Sequence, residues 1–206
     1  MKSSLKKLAL TLALTFGITV LFSSIQTSAT ENNTTLQKLD NYKEIIHDDG
    51  SITRITEIPE LNIRDEVTFN KITGDVIING NHFNISSISN AEKYKENKIM
   101  TRSSVDTWVF QVRDEKAVPI GTTVSAGLSL LSIWTGVPSS KLAQTFLSFS
   151  GLAIGSTLND QLKVVIYQYR SKYQIDGRYK YKHSYLFQWK GKTFYKTENE
   201  FFTERP

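Results

Sequence analysis

Polar and apolar residues are distributed along this chain in four blocks. The first opens with Lys2, Lys6 and Lys7, continues as an apolar run over 8–22, and ends in a small-residue polar stretch closing at Ala29. That is the three-part pattern of a cleavable secretion signal, with small residues three positions and one position before a cut after Ala29. The apolar run of about 15 residues is short for a bilayer span, which prefers about 20. Removal is therefore favoured over an uncleaved anchor. From Thr30 to about Asn41 the chain is polar and reads as loose.

The second block predicts strands. Ser51 to Ile58 is rich in β-branched residues and stops at Pro59, the signature of an edge strand. The runs 66–73 and 76–78 are punctuated by Gly74-Asp75 and Asn79-Gly80, which predicts a small meander over about 51–85. Ser89 is placed to cap a short helix over 91–96. A further strand is expected over 106–112, with Trp108, Phe110 and Val112 on one face.

The third block is nearly uncharged. Between Lys116 and Asp160 the only charged residue is Lys141. Two apolar pieces, 120–137 and 142–158, are separated by a break at Pro138, and Gly136 is placed to close the first as a helix. So short a connection predicts an antiparallel helical hairpin. Both pieces are crowded with Gly, Ala, Ser and Thr, and Gly151 and Gly155 would share one helical face.

In the fourth block Tyr179, Tyr181, His183, Tyr185, Phe187 and Trp189 alternate with Lys180, Lys182, Ser184 and Gln188. With 162–169 before it and 193–196 after it, this predicts a three-stranded meander with one aromatic and one basic face. The fold expected is α+β: small antiparallel β-meanders flanking a central apolar helical hairpin. Its parts are a signal at 1–29, an acidic β-rich region at 30–116, the hairpin at 117–160 and a cationic aromatic meander at 161–206.

Charge sharpens this division. Residues 30–100 carry 12 acidic and 8 basic groups, whereas 161–206 carry 10 basic and 4 acidic ones. Such polarity between halves points to a charged partner or to halves that face each other. There is no cysteine, so neither a lipid-modified cysteine nor a disulfide is available. Burial alone must stabilise the fold.

Catalytic and metal signatures are missing. His47, His82 and His183 are far apart, and no HExxH, Gly-x-Ser-x-Gly or phosphate-loop motif occurs. His47-Asp48-Asp49-Gly50 lacks the alternating acidic positions of a calcium loop and reads as a solvated turn. No enzyme, metal or cofactor is expected. Two features remain. The apolar hairpin is either an ordinary core element or a membrane-active one, and Gly127, Trp134, Gly151 and Gly155 are the positions assigned to lipid contact in the second case. The cationic meander supplies Lys163, Arg170, Lys172, Arg178, Lys180, Lys182, Lys190 and Lys192 for an anionic membrane or wall polymer. Export makes nucleic acid a poor partner for the same residues.

The chain resembles the large unmodified geobacillin-type bacteriocins secreted by Gram-positive bacteria. The likeness lies in the signal ending at Ala29, the segment from Lys71 to Gly80, and the apolar centre ahead of a Tyr- and Lys-rich tail. It is a likeness of layout that transfers no functional residue. It implies a secreted antibacterial protein. The expected function is accordingly a secreted, non-enzymatic, bacteriocin-like protein that perturbs bacterial membranes through its hairpin. The alternatives are a secreted or wall-associated binding module with a soluble core, and a self-protection protein at the producer's membrane.

Overall fold

The computed structural model describes residues 34–84 and 108–202. The signal, the helix expected at 91–96 and the first two residues of the strand expected at 106–112 lie outside them. Two antiparallel sheets dominate. Sheet 1 contains β1 (Tyr42–Ile46), β2 (Ser51–Ile58), β3 (Ile63–Asn70), β4 (Asp75–Ile78) and β5 (Asn81–Asn84), in that order across the sheet. Sheet 2 contains β6 (Trp108–Val118), β7 (Leu162–Ser171), β8 (Lys180–Trp189) and β9 (Lys192–Phe202), also in chain order. Between β6 and β7 run two helices, α1 (Val124–Thr135) and α2 (Ser139–Ser150).

The expected α+β arrangement is thus corrected. Among the described residues 51% are in strands and 22% in helices, and the sheets are the frame. The helices are shorter than the apolar pieces 120–137 and 142–158: the outer ends of those pieces, 120–123 and 151–158, are loops. These loops pair with each other through the Thr123–Thr157 bridge, with Gly121 N–H donating to Leu158 O (2.8 Å) and Leu158 N–H to Thr122 O (2.7 Å). They also complete the start of α1. Val124 N–H donates to Ser156 O (2.8 Å), Ser125 N–H to Ile154 O (3.1 Å), and Ala126 N–H to the Thr123 hydroxyl (3.2 Å). Three of the four orphan donors at a helix start are satisfied in this way.

Helix α1 lies between the sheets. It packs against β2 and β3 on one side and β6 and β7 on the other, so ten of its twelve residues are buried. A helix enclosed on most sides has no need of a polar face. Its small residues have steric reasons: a Cβ on Gly127 would lie 2.8 Å from Leu158 Cδ1 and 3.1 Å from Val118 Cγ1. Helix α2 is amphipathic. Leu142, Ala143 and Phe146 are buried on one side, and Phe146 meets Trp189 and Phe194 edge-on at 5.4 and 5.2 Å.

The tight turns follow their sequences. Asn79-Gly80 and Lys190-Gly191 both have positive φ at both residues (50° and 79°, 50° and 74°), the conformation whose twist suits a two-residue hairpin. Other expectations need correction. β2 is no edge strand: it pairs with β1 in register Tyr42–Thr56 and with β3 in register Ser51–Asn70. Pro59 only begins the short 3-10 turn that follows. A bulge between Phe110 and Val112 sends Val112 to the face opposite Phe110. Residues 34–41 are held too: Leu36 and Leu39 enter the core, and the Asp40 carboxylate accepts from Ser140 N–H (3.0 Å) and from its hydroxyl. That supplies the start of α2 with a cap which Pro138 cannot provide.

Candidate binding surface

The strands of sheet 2 are ten or eleven residues long and span about 34 Å, whereas a twelve-residue helix covers about 18 Å. Burial along the inner face of sheet 2 is uneven. Near the β8–β9 turn, Leu162, Val164, Tyr185, Phe187 and Trp189 are buried against them. Towards the β7–β8 turn, Gln168, Arg170, Tyr181 and His183 on the same face are only half-buried. This end of the sheet overhangs the core and presents both faces.

On its inner face the Arg170 guanidinium lies 4.2 Å over the Tyr179 ring, and Tyr181 stacks on Phe201 at 5.9 Å. His183 meets Phe201 edge-on at 4.9 Å, and its Nδ1 lies 3.1 Å from the Tyr185 hydroxyl. Burial pushes the His183 pKa below the usual imidazole value, because the charged form would lose hydration. On the outer face Lys180 and Lys182 lie 5.9 and 5.0 Å from the Trp108 ring, Lys182 also lies 5.2 Å from Tyr169, and Arg178 lies 5.1 Å from Phe202. Cations within about 6 Å of ring centroids gain from the ring quadrupole while keeping their charge.

The eight assigned cations separate by position and pairing. Lys163 is neutralised by Glu115 at 2.6 Å, which also takes Arg113 at 2.6 Å. Burial opposes ionisation of Glu115, but the hydrogen bonds from Lys163 and Arg113 prevail and hold its carboxyl below the ordinary range. Lys190 and Lys192 stand at the opposite end of the sheet, beside the β8–β9 turn. The other five gather at the overhang. There Lys180 pairs with Glu200 at 2.5 Å and Lys182 loosely with Glu198 at 3.8 Å. Arg170, Lys172 and Arg178 have no carboxylate partner among the described residues, and the buried Nε of both arginines lacks a hydrogen-bond acceptor. Guanidinium groups that have no carboxylate partner and are flanked by rings are suited to phosphate through their outer nitrogens.

The positions assigned to lipid contact are not brought together. Gly127 is enclosed in the core, and Trp134 packs edge-on against Phe69 at 6.0 Å. Gly151 is the left-handed cap of α2 (φ 70°), and Gly155 lies beyond the helix, where a Cβ would meet Ile63 Cδ1 at 3.3 Å. The two glycines therefore share no helical face. Among the described residues, no helix is long and apolar enough to cross a membrane.

Sequence reasoning missed Trp108, Phe201 and Phe202 as members of this surface. The last two follow the same alternation as β8, continued through β9 in the register Tyr181–Phe201. Trp108 arrives through pairing of β6 with β7, which no local pattern announces. Elsewhere, His47 Nε2 lies 2.8 Å from the Thr53 hydroxyl, itself 2.7 Å from Thr68, in a shallow polar depression beside the β1–β2 turn. Among the described residues no three His, Asp or Glu side chains converge as metal ligands. No protein-family model, curated protein or solved structure matches the chain.

Proposed function

We propose that this is a secreted binding protein that attaches to the phosphate-bearing surface of a bacterial envelope through the overhanging end of sheet 2. The observation that carries this reading is the set Arg170, Lys172 and Arg178, unpaired with carboxylates and set against the rings of Tyr179, Tyr173 and Phe202. Export directs the surface towards envelope polymers and lipids rather than nucleic acid. The soluble-core version of the expected function is preferred to hairpin insertion, because α1 would have to leave a core that encloses nearly all of it.

Each basic residue close to an anionic membrane surface adds about 1 kcal/mol of attraction, so replacing all three by glutamine should weaken attachment by roughly 100-fold. Co-sedimentation with phosphatidylglycerol vesicles, and binding to soluble polyphosphate, measure this. Both should weaken with added salt and with the triple substitution. Equal affinity for zwitterionic and anionic vesicles, or an unchanged triple variant, sinks the reading.

A further inference from the structure

Nine large hydrophobic side chains are exposed among the described residues, and four of them, Tyr173, Ile175, Phe201 and Phe202, lie at the overhanging end of sheet 2. Single exposed apolar residues are ordinary. Four gathered at one edge beside the unpaired cations form a contiguous apolar and cationic patch, the kind of surface that marks an interaction site.

The turn joining β7 to β8 satisfies several of its own backbone groups. Ile175 N–H donates to Arg178 O (2.8 Å) and Arg178 N–H to Ile175 O (3.0 Å) across Asp176-Gly177. The Ser171 hydroxyl donates to Tyr173 O (2.7 Å) and accepts from Lys180 N–H (3.0 Å). Backbone groups already satisfied inside the hairpin lose little when water is withdrawn. Tyr173 and Ile175, 65% and 39% exposed, project from this closed turn. Lys172 Nζ lies 5.4 Å from the Tyr173 ring, and Arg178 brackets the other side.

We propose that this hairpin tip enters the interfacial zone of an anionic bilayer, with Tyr173 and Ile175 as the inserted side chains and Lys172 and Arg178 at the level of the lipid phosphates. The inference deepens the surface-binding reading and rests on it. The occupant is a lipid surface rather than a soluble polyanion, because a polyanion would have no use for exposed Ile175 and Tyr173. Tyrosine is suited to this depth, burying its ring while its hydroxyl stays wet. Asp176 carries the one carboxylate at the turn and sets a limit. It keeps the tip among headgroups, so insertion involves two or three residues of strand, about 7–10 Å.

The test uses the secreted form of the protein, with phosphatidylglycerol vesicles and soluble polyphosphate as probes. Tyr173→Ala/Ile175→Ala should partition to the vesicles ~10-fold or more weakly, the scale expected when two apolar anchors are lost. Its binding to polyphosphate should stay unchanged. Tyr173→Trp, read as the difference from the parent with its own three tryptophans, should shift emission to the blue on vesicle addition and be quenched by brominated lipid. If the double variant binds vesicles as the parent does and Tyr173→Trp emission does not move, the tip does not insert, although the cationic surface reading survives. If the parent binds neither vesicles nor polyphosphate, both readings fall.

Discussion

Asp65 is 2% exposed and has no cationic partner among the described residues, so its carboxylate depends on neutral donors. The Thr123 hydroxyl donates to both of its oxygens (3.0 and 2.9 Å), Asn79 Nδ2 donates at 2.9 Å, and the Ser125 hydroxyl donates to Oδ2. The carboxylate also sits at the start of α1, where the helix dipole favours negative charge. Asp65 thereby joins β3, the β4–β5 turn and α1 in one network. Asp65→Ala strands the buried Ser125 hydroxyl and the half-buried Thr123 hydroxyl, each costing about 1–3 kcal/mol when left unsatisfied, and frees the exposed Asn79 amide to water. A stability loss of about 3 kcal/mol or more is expected from urea unfolding. A loss under about 1 kcal/mol would show that the network is incidental. Nothing near Asp65 in sequence announces this role. It lies in a charged run, Arg64-Asp65-Glu66, where a solvated residue is the natural reading, and only strand alternation could have hinted that it faces inward with Val67 and Phe69 on either side of Glu66 and Thr68.

The elements differ in how far local pattern determines them. β8 is legible because one face of it is aromatic and the other carries its lysines; its register with β7 is unbroken along the strand, whereas that with β9 shifts between Phe187 and Gln188. β1 was not legible. Tyr42–Ile46 is short, mostly exposed, and set beside a polar stretch, so alternation has little to work with. β6 misled for a different reason, since its bulge shifts the pleat by one residue inside the run that was read as regular. The distal part of β8 also carries a pH response. Burial lowers the His183 pKa, so the folded state holds the neutral imidazole while the unfolded chain protonates near 6.5. The stability this provides is present above about pH 6.5 and is lost as pH falls from there through the lowered folded value. His183→Phe should remove that part of the acid sensitivity. Thermal unfolding at pH 7.5 and pH 5 measures it: a parent whose midpoint drops no more than the variant's would contradict the assignment.

At the scale of the molecule the decisive fact is that α1, in the least charged segment, is enclosed along nearly all its length. Leaving the core would strip α1 of contacts with both sheets, break the Asp65 network, and break the bond from Arg54 Nη1 to Ser132 (2.8 Å). Arg54 is itself held by Glu44 at 2.6 Å and lies 4.2 Å over the Tyr42 ring, so the helix is tied to sheet 1 at both ends. The folded protein should consequently bind anionic vesicles without releasing an entrapped dye. Release comparable to that by a known pore former, at neutral pH and without proteolysis, would reinstate hairpin insertion.

By itself the sequence determined those features that depend on neighbours in the chain: the hairpin turns at Asn79-Gly80 and Lys190-Gly191, the close of α1 at Gly136, the two-faced β8, and the segregation of charge. These rest on backbone sterics and on periodicity, which act over a few residues. Only the tertiary structure decided that α1 lies between two sheets and that Gly151 and Gly155 serve a cap and a loop. It alone separated five of the eight cations from the rest at an overhanging edge. Those outcomes depend on which strands pair across 44 residues, from Val118 to Leu162, and on sheets longer than the helices that cover them. Packing of that kind is a property of surfaces that meet, and no single surface encodes its partner.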